Sequence, residues 1–375
     1  MNIGIVCYPT FGGSGVVATE LGKALASEGH KIHFISYDQP VRLNVFTDNL
    51  FYHEVTVSDY PLFDYPPYEL ALANKIVEVA KYEKLDVLHV HYAVPHAAAA
   101  YMAQQILADE NIHLPFITTL HGTDITLVGK DASFESAISF VINRSDAVTA
   151  VSESLKQDTY KYFRNVKREI NVIPNFIRVE DYVFPHTLET RRKYAGDDEM
   201  ILMHVSNFRA VKRVEDVLRT FDIVRKKIPA RLILIGDGPE RSNIDKLCRE
   251  LDTCSQITSL GKVSEPGSFL SIADLFLLPS QTESFGLAAL EAMAAGVPVI
   301  STNTGGLPEV NQQGFSGMLS NVGDVEDMAK NVLYILENKE RHNQFKQNAK
   351  VQAQKFAIEK VLPMYETLYT KVVNN

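Results

Sequence analysis

Short apolar, β-branched runs alternate with longer stretches of helical period along the chain. In the first half the runs predict strands over Ile3–Cys7, Ile32–Ser36, Val87–His91, Phe116–Leu120 and Ala147–Val151. Helices fit between them over Val16–Glu28, Tyr68–Lys84, His96–Ala108 and Ser152–Phe163. Strands apolar almost throughout, joined by helical crossovers, imply a parallel sheet covered on both faces. The stretch NVIPNFIRVEDYVFPH (171–186) holds two prolines and no helical period, so it reads as a connection. The rhythm then restarts with strands over Ile201–Val205, Leu232–Ile235, Leu275–Leu278 and Val297–Ser301 and a helix over Val214–Lys226. A helical stretch near Asn331–Ala353 precedes a final helix over Ile358–Val373. The fold class is therefore α/β, with two successive doubly wound units. The expected domains are 1–173 and 174–355, with the helix of 356–375 packing back on the first.

At 375 residues the chain is too long for one core of usual size. A composition of 46% hydrophobic and 22% charged residues argues against disorder. The net charge of −9 disfavours nucleic-acid binding, which needs a basic footprint. The cluster Lys161, Arg164, Lys167 and Arg168 is the local exception and reads as a solvated helix face, with a membrane-surface patch as the alternative. Three cysteines without a CxxC pattern suit a reduced, cytoplasmic protein with no metal motif. The opening MNIGIVCYP has no basic or long apolar leader, and no uncharged apolar stretch reaches the roughly 20 residues of a membrane span. A cytoplasmic homo-oligomer without stable membrane association is expected.

Ligands of doubly wound sheets bind beyond the carboxyl ends of the strands, and with two such units the cleft between them is the expected site. The first strand runs into CYPTFGGSGVV, whose Gly12, Gly13, Ser14 and Gly15 open a helix and suit an anion, although neither GxGxxG nor a Walker loop is matched. In LDVLHVHYAVPHA, His89, His91, Tyr92 and His96 surround a strand end, with no zinc spacing. In ITTLHGTDIT, alternation puts Thr119 and His121 on one face at the strand end. In HVSNFRAVKRVEDV, Asn207, Arg209, Lys212 and Arg213 follow a strand and could neutralise a diphosphate. The segment ESFGLAALE sets Glu283 in a loop and Glu291 inside an apolar helix, where a carboxylate with no partner would be costly. Its helix is expected to begin near Phe285–Gly286, leaving N–H groups of 285–287 for an anion. One segment thus offers a helix end to a diphosphate and two carboxylates to hydroxyls, which describes a nucleotide-sugar site.

This segment, with AAGVPVISTNTGGLPE after it, strongly resembles the retaining family 4 glycosyltransferases of the GT-B fold. The resemblance extends over essentially the whole chain, through the FGGSG turn, HGTD, AVSESL, IPNF, Lys212 and GDGPE. The stretches CYPTFGGSGVVATELG, YPLFDYPPYELALA, LHVHYAVPHA and TTLHGTDIT are similar to members that move GlcNAc from UDP-GlcNAc to the hydroxyl of L-malate, the first step of bacillithiol synthesis. The resemblance implies two Rossmann-like domains facing across a cleft, no cofactor and no metal. It implies that Glu291 holds the ribose hydroxyls, Glu283 the donor-sugar hydroxyls, and the backbone of Ser284, Phe285, Gly286 and Leu287 the sugar and diphosphate. Lys212 matches a diphosphate lysine and His121 a histidine beside the donor sugar, with Gly13 also on the donor. Many members carry an arginine five residues before that lysine; here Asn207 stands there, and Arg209 is the substitute cation. For malate, a dianion with a hydroxyl, the helix start at Gly13–Gly15, Ser14, Tyr92, Thr119 and Arg42 are the expected contacts. The sequence leaves open a lipid or glycan acceptor, and a UDP-GlcNAc 2-epimerase on a similar pair of units.

Overall fold

The computed structural model describes residues 1–374 apart from 11, 44–47, 58–66, 128–130, 132, 185–187 and 264–265. Phe11 of the glycine turn and part of YPLFDYPPYELALA lie outside the described residues. The chain forms two compact units, Met1–Asn175 with Glu359–Asn375, and Phe176–Ile358.

The first unit runs β1 (Asn2–Val6), α1 (Gly13–Ser27), β2 (Lys31–Ser36), β3 (Leu50–Glu54), α2 (Tyr68–Glu83), β4 (Val87–His91), α3 (Ala98–Asp109), β5 (Phe116–Leu120), α4 (Glu135–Arg144), β6 (Ala147–Ala150), α5 (Glu153–Tyr162) and β7 (Ile170–Val172). Its sheet has the order β3-β2-β1-β4-β5-β6-β7, parallel at every pairing. The inner strands β4, β5 and β6 are wholly buried, which is why their sequences are nearly continuous apolar runs. The edge strand β3 and the three-residue β7 extend the sheet beyond the expected strands, and β7 takes up part of the stretch read as a connection.

The second unit runs α6 (Leu188–Arg192), β8 (Met200–Val205), α7 (Val214–Arg225), β9 (Ala230–Ile235), α8 (Arg241–Glu250), β10 (Ile257–Gly261), α9 (Gly267–Leu270), β11 (Leu275–Leu278), α10 (Leu287–Ala294), β12 (Val299–Thr302), α11 (Leu307–Val310), β13 (Gly317–Ser320), α12 (Val325–Leu336) and α13 (Lys339–Ala353). The sheet order is β10-β9-β8-β11-β12-β13, again all parallel. Helix α7 shows how the sequence dictates packing. Val214, Val217, Leu218, Phe221 and Val224 recur at helical spacing, and all five are buried in one core with α12 residues Met328 and Val332. Caps fix helix starts: Ser152 accepts the Leu155 N–H at 3.1 Å before α5, and Asp324 accepts the Asp327 N–H at 3.0 Å before α12. The last helix, α14 (Ile358–Val373), returns the chain to the first unit.

Cys248 in α8 and Cys254 beyond it are joined as a disulfide, which corrects the expectation of a fully reduced chain. The turn after α8 carries Thr253 back so that its N–H donates to the Cys248 carbonyl at 3.1 Å, and this brings the two cysteines together. Cys7 is free and buried, and burial pushes its thiol up to about 12. The basic cluster is less of a helix face than expected. Only Lys161 belongs to α5, while the Lys167 and Arg168 N–H groups donate to the Asn143 side chain at 2.7 and 3.1 Å. Among the described residues no helix is long and apolar enough to cross a membrane.

Candidate active site

Each sheet reverses its strand order once, between β1 and β4 in the first unit and between β8 and β11 in the second. In such sheets the loops leaving these two strands part and form a crevice. In both units a side-chain contact spans that reversal, and in both it is made by residues singled out in the sequence.

In the first unit, Tyr92 follows β4 and its hydroxyl donates to Ser14 Oγ at 2.7 Å. Ser14 sits at the start of α1, after β1. The helix starts there because Gly15 lies against the incoming chain: a Cβ at Gly15 would come within 2.5 Å of the Thr10 carbonyl oxygen. Gly13 is exposed beside Ser14. Arg42 lies in the turn beyond β2, and His121 directly follows β5. Gly13, Ser14, Arg42, Tyr92 and His121 therefore share the carboxyl ends of four adjacent strands.

Behind them lies a buried polar network that the sequence only hinted at. His121 Nε2 lies 2.8 Å from His91 Nδ1, and the Tyr92 and His121 rings are 5.3 Å apart. His89 stacks on His91 and bonds Tyr369 of α14 and Thr119 Oγ1, each at 2.7 Å. His96 is also wholly buried. Burial pushes His89 and His121 down to about 3 and His96 to about 4, and lowers His91 well below its ordinary value, so all four rings are neutral at pH 7. Thr119, expected at the acceptor, lies deeper than the strand-end position suggests. It is fully buried, its hydroxyl held between His89 and Thr149 Oγ1 at 2.6 Å.

Asp124 was not singled out as a site residue. Its two carboxylate oxygens accept the Ala93 and Gly122 N–H groups, each at 3.0 Å, and so clamp the turns beyond β4 and β5 together. Desolvation raises it to about 6 against these backbone donors. The Gly-Thr-Asp after β5 was the signal available.

In the second unit, Lys212 after β8 pairs with Glu283 after β11, with Nζ and Oε2 2.6 Å apart. The Gln281 N–H donates to the Val211 carbonyl at 2.8 Å and holds the two loops in register. Gly305 and Gly306 support Glu283 from the far side. A Cβ at Gly305 would lie 2.0 Å from the Glu283 carbonyl oxygen, and the Gly306 N–H donates to that oxygen at 2.9 Å. Only glycine allows this approach of two backbones. Helix α10 begins at Leu287 with Gly286 as its N-cap, about two residues later than expected, so its free N–H groups lie on Leu287 and the residues after it. Ser284 and Phe285 belong to the turn before it, with Phe285 buried.

Glu291 is half-buried, one turn into α10, and its Oε1 accepts from the Tyr182 hydroxyl at 2.8 Å. Tyr182 is the partner that sequence reasoning missed; it lies in the connecting stretch, where no periodicity marks it. Asn207 and Arg209 are exposed on the loop after β8. Arg213 is engaged with Asp216 at 2.6 Å, while Lys212 of the same loop is paired with Glu283.

Two successive doubly wound parallel-sheet units are the architecture of the GT-B fold, and the comparisons with known proteins show a glycosyltransferase. The model of "Glycosyltransferase Family 4" matches residues 11–181 and that of "Glycosyl transferases group 1" matches 187–352. The chain is 46% identical to the N-acetyl-alpha-D-glucosaminyl L-malate synthase of Bacillus anthracis over 377 residues, which covers 100% of this chain and 98% of that one. It therefore belongs to this glycosyltransferase family. Solved structures with the same fold include a glycosyltransferase from Rickettsia africae, with TM-score 0.83 and 20% identity over 100% of this chain and 99% of that one. Anabaena HepE in complex with UDP-glucose aligns with TM-score 0.80 and 18% identity over 99% and 100%.

Proposed function

We propose that this glycosyltransferase moves GlcNAc from UDP-GlcNAc to the hydroxyl of L-malate with retention of anomeric configuration, as the first step of bacillithiol synthesis in the cytoplasm. The observation that carries the reading is the 46% identity, over the full length of both chains, to a GlcNAc-malate synthase.

In this reading the second unit holds the donor. Glu291 accepts hydrogen bonds from the ribose hydroxyls, with Tyr182 fixing its carboxylate. Glu283 takes donor-sugar hydroxyls, and the backbone from Ser284 to Leu287 lines the sugar and diphosphate. An ammonium has three donors, so the bond from Lys212 to Glu283 leaves two for diphosphate oxygens. Arg209 supplies the second charge in place of the arginine that Asn207 replaces. In the first unit, Gly13 and His121 are the residues that the family resemblance assigns to the donor sugar. For malate it offers Ser14, Tyr92 and Arg42, a hydroxyl pair and a cation matched to a hydroxy-dicarboxylate.

Transfer follows a front-face course. The malate hydroxyl oxygen bonds to C1 of GlcNAc on the face from which the diphosphate leaves, and its proton passes to the departing phosphate oxygen. Lys212, Arg209 and the start of α10 stabilise the charge that grows on the diphosphate. His121, held neutral, offers the sugar a hydrogen bond without adding charge. The carboxylates and cations named here do the work of the transfer, and no metal is assigned to it.

The test is to incubate the protein with UDP-GlcNAc, with and without L-malate, in EDTA, and to follow UDP release and product mass. UDP release that requires malate, with a GlcNAc-malate mass, is expected. Absence of malate-dependent turnover moves the acceptor to a lipid or glycan, and conversion of UDP-GlcNAc without UDP release indicates an epimerase. Glu291→Ala is expected to weaken UDP binding about 10- to 100-fold through loss of charge-assisted hydrogen bonds. Unchanged UDP affinity in calorimetry would remove Glu291 from the ribose.

A further inference from the structure

Three ligating side chains meet at the edge of the first sheet. His33 lies in β2 and His53 in the edge strand β3, and the register that pairs His33 with Phe51 and Ile35 with His53 sets the two histidines diagonally across one face. His33 Nδ1 and His53 Nε2 are 3.0 Å apart. That is near the about 3.4 Å that two imidazole nitrogens keep on a tetrahedral zinc ion with Zn–N bonds of about 2.0–2.1 Å. Glu83, the last residue of α2, completes the group: one ligand atom from each of the three residues lies within 4.8 Å of the others.

The environment is that of a built site. His33 is 1% exposed, and its ring stacks on Phe51 with centroids 4.8 Å apart, so its orientation is fixed. Its Nδ1 faces His53, and its Nε2 is buried without a hydrogen-bond partner among the described residues. Between the two facing nitrogens only one proton can be shared, and a cation is a natural bridge there. His53 and Glu83 are half-buried, so an ion has a route in along the sheet edge. The Asn2 side chain pins the end of α2 by donating to the Glu83 carbonyl at 2.9 Å.

We propose that His33, His53 and Glu83 form a site for a borderline divalent cation of the zinc type, with two imidazoles, one carboxylate and a water completing four ligands. The cation ties the edge strand β3 to β2 and to the end of α2. It takes no part in the transfer, so the site does not depend on the donor and acceptor assigned above.

The test uses full-length, tag-free protein treated with EDTA and then exchanged free of it, titrated with Co²⁺ as a spectroscopic probe and then with Zn²⁺. One Co²⁺ per chain with visible ligand-field absorption, displaced by Zn²⁺, is expected, together with a saturable rise in Tm. His53→Ala and Glu83→Gln should each weaken binding at least about tenfold. Glu83→Gln leaves the histidine pair in place, so it reads the site even where His53→Ala disturbs the strand, and its Tm without metal reports that it is folded. Malate-dependent UDP release should be the same with and without Zn²⁺. Absence of saturable binding, or equal affinity in wild type and Glu83→Gln, overturns the proposal whatever the activity assay returns.

Discussion

Lys212→Ala is expected to lower malate-dependent UDP release by about 10²- to 10³-fold, the effect of removing one preorganised charge from a developing anion. The loss should fall mainly on kcat, because the charge on the diphosphate grows as the sugar bond breaks. Lys212→Arg should recover part of it. The pairing with Glu283 at 2.6 Å gives the substitution a second consequence. Glu283 loses its counter-charge, so the alanine variant should also bind the donor sugar less selectively, and Glu283→Gln should restore some of that binding but none of the rate. Equal losses of kcat and donor affinity in Lys212→Ala, with no recovery by arginine, would make Lys212 a structural tether of Glu283.

The second large effect concerns acid. His89, His91 and His96 are wholly buried, and burial holds each below the ordinary histidine value, with His89 at about 3 and His96 at about 4. The unfolded chain takes up these protons near pH 6.5 and the folded one does not, so their contribution to stability is complete above about 6.5 and is lost as pH falls. Asp124 acts in the opposite sense. Raised to about 6, it favours the fold as pH drops from there toward 4. His121, pushed down to about 3, adds a fourth ring, and four rings against one carboxyl leave a net loss of roughly 4 kcal/mol per pH unit below about 6.5. A domain of ordinary stability should therefore unfold within about two to three pH units of neutrality. Denaturant titrations at pH 7.5, 6.5, 5.5 and 5.0 would measure it, and a flat stability profile over that range would show that the rings reach water.

The buried strands of both sheets could be read from sequence because burial on both faces leaves them almost no polar positions. The edges could not. β3 is half-exposed along LFYHE, β10 has no fully buried residue, and β7 has three residues, so none carries an apolar run to mark it. The site divides in the same way. Lys212 and Glu283 announce themselves as polar groups just after apolar strands. Alternation correctly turns Thr119 inward with the histidines, but it does not report depth, and Thr119 is buried with its hydroxyl already engaged. Tyr182 and Tyr369 were out of reach for a simpler reason. Their partners lie 109 and 280 residues away in the chain, and local pattern says nothing about contacts at such separations.

The return of α14 to the first unit gives the order of synthesis a role. Residues 1–175 leave the ribosome first, yet Tyr365 and Tyr369, which pack on His89, are translated only after the whole second unit. At about 5–20 residues per second, the nascent first unit waits on the order of ten seconds or more with that face of its histidine network uncovered. The second unit, whose residues are contiguous, can complete its fold in that interval. Nascent chains stalled before residue 359 should thus carry a protease-resistant second unit beside a first unit that is still open to cleavage.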